Sequence, residues 1–258
     1  MKRLALIVAA AALGIAASAA SAKDWKTVRI GVEGAYPPFS ETTPSGELKG
    51  FDIDIALALC EQMKVQCELV KQDWDGIIPA LMAKKYDAII ASMSITPERK
   101  KKVNFTGKYY NTPAKFIARE GVDWEDTNEG LEGKVVGVQR ATIHQDYMEK
   151  IYPDVELKLY GTQDEVYLDL AAGRIDAAMA DSVAMLEGFL KTENGKGFAF
   201  FGRDHSDPAI HGEGAGIAIR KEDDDLRAMF NDAIKAIRAN GTYDKIAKQY
   251  FDFNVYGS

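Results

Sequence analysis

Residues 81–92 read LMAKKYDAIIAS, and residues 170–181 read LAAGRIDAAMAD. Aligned without a gap, they share Leu81 with Leu170, Ala83 with Ala172, Asp87 with Asp176, Ala88 with Ala177 and Ala91 with Ala180. Each copy ends an amphipathic run, turns on basic residues and enters a short apolar run suited to a buried parallel strand. The echo has two readings: a repeated lobe, or the shared grammar of any helix-to-strand turn. Both copies finish on a polar residue, Ser92 and Asp181, where a strand would reach its carboxyl end. Open α/β sheets place their ligands there. Two lobes facing each other would aim both residues into one cleft.

Outward from these copies, short β-branched or alanine-rich runs alternate with amphipathic ones. TVRIGV, FDIDIALALCEQM, CELV, GIIPALMAKK and DAIIAS come first; KVVGV, ATIHQDYMEKI, VELKLY, TQDEVYLDLAAG, RIDAAMA and SVAMLEGFL follow residue 133. This is the βαβ rhythm of a parallel sheet, stated twice. Between the two, GKYYNTPAKFIAREG reads as extended chain, and a crossing between lobes is expected at residues 111–113. GEGAGIAIRK is a second extended run, followed by a helix over 223–239 with acidic residues in its first turn and Gly241 beyond its end. A last helix, 243–250, closes the chain. The expected organisation is a first lobe from 23–111 and 213–258 and a second from 112–212.

The start of the chain has the form of a secretory signal peptide: basic Lys2 and Arg3, an apolar core over 4–17, and Ala20-Ser21-Ala22 as the cleavage site. Its apolar core is shorter than the roughly 20 residues that span a bilayer. Cleavage would leave 30 basic against 39 acidic residues, a net charge of −9, which argues against nucleic acid as a partner. Cys60 and Cys67 are the only cysteines. In an oxidising compartment they are expected to form one disulfide, a local staple between a helix end and the next strand.

Candidate ligand-binding residues sit at the ends of these strands. Thr96-Pro97-Glu98-Arg99 has the form of a helix start, with threonine as N-cap and proline at the first position. Arg99 then lies in a first turn that disfavours a cation. Either it begins the solvated run RKKK, or it meets an anion beside Ser92, Ser94 and Thr96, where a guanidinium can grip a carboxylate with two parallel hydrogen bonds. Asp181 would cap the following helix, pair with an ammonium group, or do both. Glu33 and Tyr36 flank the turn after the first strand, and Trp74 follows the second; an acid among aromatic faces suits a long cationic side chain. His144, His205 and His211 have neither metal nor triad spacing, so structural or solvent-exposed roles are expected. GEGAG follows no strand-to-helix phosphate-loop pattern. No catalytic residue, metal site or cofactor is expected.

Taken together, GELKGFDIDIALALC, IPALMAKKYDAIIASMSITPERKK, AGRIDAAMADSVA and GTYDKIAKQYFDFNVYG resemble the bacterial periplasmic amino-acid-binding proteins, most of all the lysine/arginine/ornithine- and histidine-binding group that serves ABC transporters. The resemblance implies a type II periplasmic-binding-protein fold: two α/β lobes, each a mostly parallel sheet flanked by helices, joined by two hinge strands. It implies a monomeric, periplasmic, non-enzymatic protein that hands a cationic amino acid to the membrane subunits of an importer. Arg99, with Ser94 and Thr142, would hold the α-carboxylate; Asp181 and Ser92 the α-ammonium; Glu33 the distal cation, between Tyr36 and Trp74. Three departures bear on the ligand. Trp74 replaces a more usual leucine, Ala91 a serine, and VQRATIH a glycine-threonine-threonine pattern. The last brings in Arg140, which is either solvated or faces the cleft; facing it, Arg140 would suit an opine with a second carboxylate. A dehydratase-like enzyme and a sensory binding module are the alternatives from other classes.

Overall fold

The computed structural model describes residues 23–257; the expected signal peptide, 1–22, lies outside them. The strands are β1 (Thr27–Val32), β2 (Ala35–Tyr36), β3 (Ser40–Thr42), β4 (Leu48–Lys49), β5 (Gln66–Lys71), β6 (Ala88–Ile89), β7 (Asn104–Tyr110), β8 (Ala114–Arg119), β9 (Val135–Gln139), β10 (Glu156–Tyr160), β11 (Ala177–Asp181), β12 (Phe198–His205) and β13 (Ala215–Ile219). The helices are α1 (Phe51–Met63), α2 (Ile77–Met82), α3 (Pro97–Lys102), α4 (Ile143–Ile151), α5 (Gln163–Ala171), α6 (Ser182–Met185), α7 (Asp224–Ala239) and α8 (Thr242–Tyr250).

Two five-stranded sheets result, in the orders β5-β1-β6-β13-β7 and β10-β9-β11-β8-β12. In each, one strand runs against the other four: β13 is antiparallel to both its neighbours, and so is β8. These two are the strands laid down directly after the chain changes sheet, between Tyr110 and Ala114 and again between His205 and Ala215. A small sheet, β2-β3-β4, sits at the rim beside the end of β1.

The two echoing stretches have the same backbone roles. Asp87 donates its N–H to the Arg29 carbonyl and accepts the Arg29 N–H on its carboxylate; Asp176 does the same with Val135. Ile89 pairs with Gly31 on β1, and its counterpart Ala178 pairs with Gly137 on β9. Both glycines make room for the residue that precedes the aspartate: a Cβ on Gly31 would come within 2.5 Å of the Tyr86 ring, and one on Gly137 within 2.5 Å of Ile175. The turn between helix and strand is left-handed in both, at Lys84 and Gly173. The two copies occupy equivalent places in the two sheets.

Each sheet buries its own cores. In the first, Ile30, Ala88, Ile217 and Ile219 pack under α1 and α7 with Leu59, Phe230 and Ile234. In the second, Val136, Val138 and Met179 pack with Phe116 and Tyr147, while Ala178 and Val166 face Phe189 on the other side. Burial of each large apolar side chain contributes roughly 1.5–3 kcal/mol. Cys60 and Cys67 form the expected disulfide, tying the last turn of α1 to β5. SVAMLEGFL is helical for one turn and then widens into a π turn over Leu186–Leu190.

Candidate functional site

The parallel strands β5, β1 and β6 of one sheet and β10, β9 and β11 of the other end at a common cleft. A cavity of about 260 Å³ lies there, close to the lower end of the range usual for small-molecule sites, about 300–1,000 Å³. Glu33, Tyr36, Trp74, Ser92, Ser94, Arg99, Thr142 and Asp181 all line it. Sequence positions up to about 150 residues apart meet because each lies just past a strand or at a helix start.

Arg99 is in the first turn of α3, whose N-cap, Thr96, accepts the Arg99 backbone N–H at 3.2 Å. Its guanidinium donates from Nη1 to the Ser94 carbonyl at 3.1 Å and lies 5.2 Å from the centre of the Trp74 ring. Among the described residues no carboxylate forms an ion pair with it, and burial lowers its pKa to about 10, with Asp146 opposing the shift. Across the cleft, Thr142 caps α4 by accepting the Gln145 N–H and donates its hydroxyl to the Gln139 carbonyl. A charged guanidinium short of an anion faces a helix N-terminus; together they suit a carboxylate.

Glu33 and Asp181 supply the opposite charge. Glu33 is 5% exposed and accepts from Gln139 Nε2 at 2.6 Å; burial raises its pKa to about 7 against that hydrogen bond. Asp181 caps α6 through the Val183 and Ala184 N–H groups, accepts the Thr112 hydroxyl and is raised to about 6, again by burial. Asp181 is thus the expected helix cap, and it also lines the cavity. Ser92, at φ 53°, donates its hydroxyl to Asp52 at 2.9 Å, which leaves its lone pairs as acceptors toward the cleft. Asp52 is fully buried, receives the Tyr109 hydroxyl as well, and is raised to about 7 by burial.

Among the described residues, four hydrogen bonds join the two sides of the cleft. Besides Glu33 with Gln139, the Trp74 indole N–H donates to the Ala141 carbonyl at 3.0 Å, the Asp181 N–H reaches the Tyr36 hydroxyl at 3.3 Å, and Arg140 Nε meets Asp75 at 2.5 Å. Arg140 does not line the cavity; its charge is spent on Asp75 at the rim, where both side chains are well exposed. Trp74 is more than a wall, because its ring sits on Arg99 while its N–H holds the opposite side. The three histidines are buried. His205 bonds the Tyr147 hydroxyl, and burial lowers His144 and His211 to about 3 and 4, so neither brings a charge to the cavity at neutral pH.

A family model described as bacterial extracellular solute-binding proteins, family 3, matches residues 28–253. The chain belongs to this family. Among its relatives, the L-arginine-binding protein of Pseudomonas aeruginosa is 53% identical over 260 residues, covering 100% of both chains. The lysine/arginine/ornithine-binding periplasmic protein of Escherichia coli is 46% identical and covers 90% of each. A solved structure of a Salmonella typhimurium periplasmic binding protein with high arginine specificity superposes with a TM-score of 0.81 at 32% identity, over 88% of this chain and 99% of that one. The fold is thus that of type II periplasmic binding proteins, and the family is one of binding proteins and not of enzymes.

Sequence reasoning missed Gln139, Asp52 and Tyr109. Asp52 left a trace: a carboxylate at the second position of the apolar helix FDIDIALALC must be held by something. Gln139 left none, since a polar residue ending VVGVQ is ordinary and its partner is 106 positions away.

Proposed function

We propose that this protein is a periplasmic receptor that captures a cationic L-amino acid, with L-arginine first, and delivers it to the membrane subunits of an ABC importer. The observation that carries the reading is the charge pattern of the cleft. Arg99, a guanidinium with no ion-pair partner among the described residues, stands apart from two acids, Glu33 and Asp181, that burial holds far from their usual pKa. A cationic α-amino acid is the complement: one carboxylate, one α-ammonium, one distal cation. A neutral amino acid would leave the buried Glu33 carboxylate with the Gln139 amide but no cation, which is costly. An opine would bring a second carboxylate to a cleft whose spare cation, Arg140, is engaged with Asp75 at the rim.

In this reading Arg99 binds the α-carboxylate with the Ser94 and Thr142 groups, Asp181 and Ser92 bind the α-ammonium, and Glu33 takes the distal cation beside Tyr36 and Trp74. Residues 23–111 with 213–258 form one lobe and 112–212 the other, and the monomer closes by bending at the two crossings. Closure follows because the ligand interacts better with the closed form. The arginine-binding names of the relatives, at 53% identity in one case, support the choice of ligand; the disulfide supports an oxidising compartment.

A thermal-shift screen of ligand-stripped protein against the common amino acids, ornithine, octopine and nopaline tests the proposal. Arginine, lysine and ornithine should raise the melting temperature while glutamine and the opines leave it within a degree. A larger shift with an opine, or none with any cationic amino acid, would sink it.

A further inference from the structure

Gln139 ends β9 and reaches across the cleft. Its amide nitrogen donates to Glu33 Oε1 at 2.6 Å and to the Gly161 carbonyl at 3.1 Å. Both N–H groups are therefore spent on acceptors, and this settles which end of the amide is which: the flipped form would set three oxygens against one another. The amide oxygen, Oε1, is left over. Gln139 is only 3% exposed and lines the cavity, yet among the described residues its Oε1 meets no donor. That oxygen is not among the side-chain atoms sealed off without a partner, so it is open to a donor arriving in the cavity, and it sits on the same amide that holds Glu33.

We infer that Gln139 determines specificity, its Oε1 and the Glu33 carboxylate forming a pair of acceptors for a guanidinium. The inference rests on the proposed reading that the distal cation lies at Glu33. A guanidinium presents N–H groups from separate nitrogens in a flat fork, so it donates to both oxygens at once without bending either bond. An ammonium carries its three donors on one atom and has no such fork. The pair thus separates arginine from lysine and ornithine, which the charge of Glu33 by itself does not do. The hydrogen bond from Gln139 also favours the ionised form of Glu33 against burial, so the same side chain supplies one acceptor and keeps the other charged.

Titration calorimetry of Gln139→Met with L-arginine and L-lysine, beside the unaltered protein, tests this. Methionine keeps the volume and removes both polar ends. The ratio of the lysine Kd to the arginine Kd should fall about tenfold, the worth of one hydrogen bond to a charged group. Equal losses for both ligands would overturn the inference and leave the proposed function standing, since Gln139 would then only help the lobes close. Unaltered protein that binds neither ligand would overturn both. Should Gln139→Met melt below the assay temperature, Gln139→Leu serves in its place: it too lacks both polar ends, so the same fall in the ratio is expected, and equal losses for both ligands would again overturn the inference.

Discussion

Arg99 and Glu33 carry the two ends of the proposed site, and they fail differently when changed. Arg99→Ala removes the carboxylate anchor that every α-amino acid needs. Calorimetry should show at least about a hundredfold loss for arginine, lysine and ornithine alike, as for truncating one member of a buried charged pair, about 3–5 kcal/mol. Glu33 makes affinity depend on pH. In the empty cleft its carboxyl is protonated below about 7, whereas a bound cation needs the carboxylate, so binding expels a proton. Affinity should therefore fall as pH drops below about 7, by up to one decade per pH unit for each proton displaced, and level off above it. Glu33→Gln should weaken arginine at pH 8 and flatten this profile; an unchanged slope would assign the proton elsewhere. All eight candidate residues line the cavity; Thr142 came only from the family resemblance, and the other seven were legible as charged, hydroxyl or aromatic groups at strand ends or helix starts. Gln139 was not, because its significance lies in which atoms it meets across the cleft, and no local pattern encodes that.

At the scale of elements, the helix starts are the working parts. Thr96, Thr142 and Asp181 each cap a helix at the cleft; the Thr142 cap was not readable from its residues, and the first and last of these starts were. The latch at the rim was not. Asp75 and Arg140 are well exposed, so their pair contributes at most about 1 kcal/mol, and Asp75→Ala should change the arginine Kd less than about fivefold, with the difference vanishing at high salt. The Trp74 indole hydrogen bond to the Ala141 carbonyl is less exposed to solvent. Trp74→Phe keeps a ring for Arg99 but loses that bond, and should cost more than Asp75→Ala in affinity and none of the difference should respond to salt. The disulfide belongs to the first sheet's core and not to the cleft. Replacing Cys60 and Cys67 by serine should lower stability by about 2.5 kcal/mol for so short a loop, read as a fall in melting temperature, with the arginine Kd unchanged.

For the molecule as a whole, the doubled βαβ rhythm and the echo at 81–92 and 170–181 announced two similar sheets. They did not announce that the strand following each crossing would run against its sheet, since direction depends on where the chain re-enters. Closing the cleft while empty leaves Glu33 and Asp181 buried, each costing on the order of 3 kcal/mol to ionise relative to water. The Gln139 hydrogen bond is already contained in the Glu33 shift, and the other three cross-cleft hydrogen bonds offset only part of the cost, at about 1 kcal/mol apiece. Ligand-free protein should thus be open for an appreciable fraction of the time at pH 8, and small-angle scattering should show the radius of gyration shrinking when arginine is added; no change would mean that closure does not depend on the ligand.

The most direct test of the account is a crystal structure of the L-arginine complex. It should place the α-carboxylate on Arg99 and the N-terminus of α4, the α-ammonium on Asp181, and the guanidinium between Glu33 and Gln139 Oε1. A ligand bound the other way round, with its guanidinium away from Glu33 or its carboxylate away from Arg99, would contradict it.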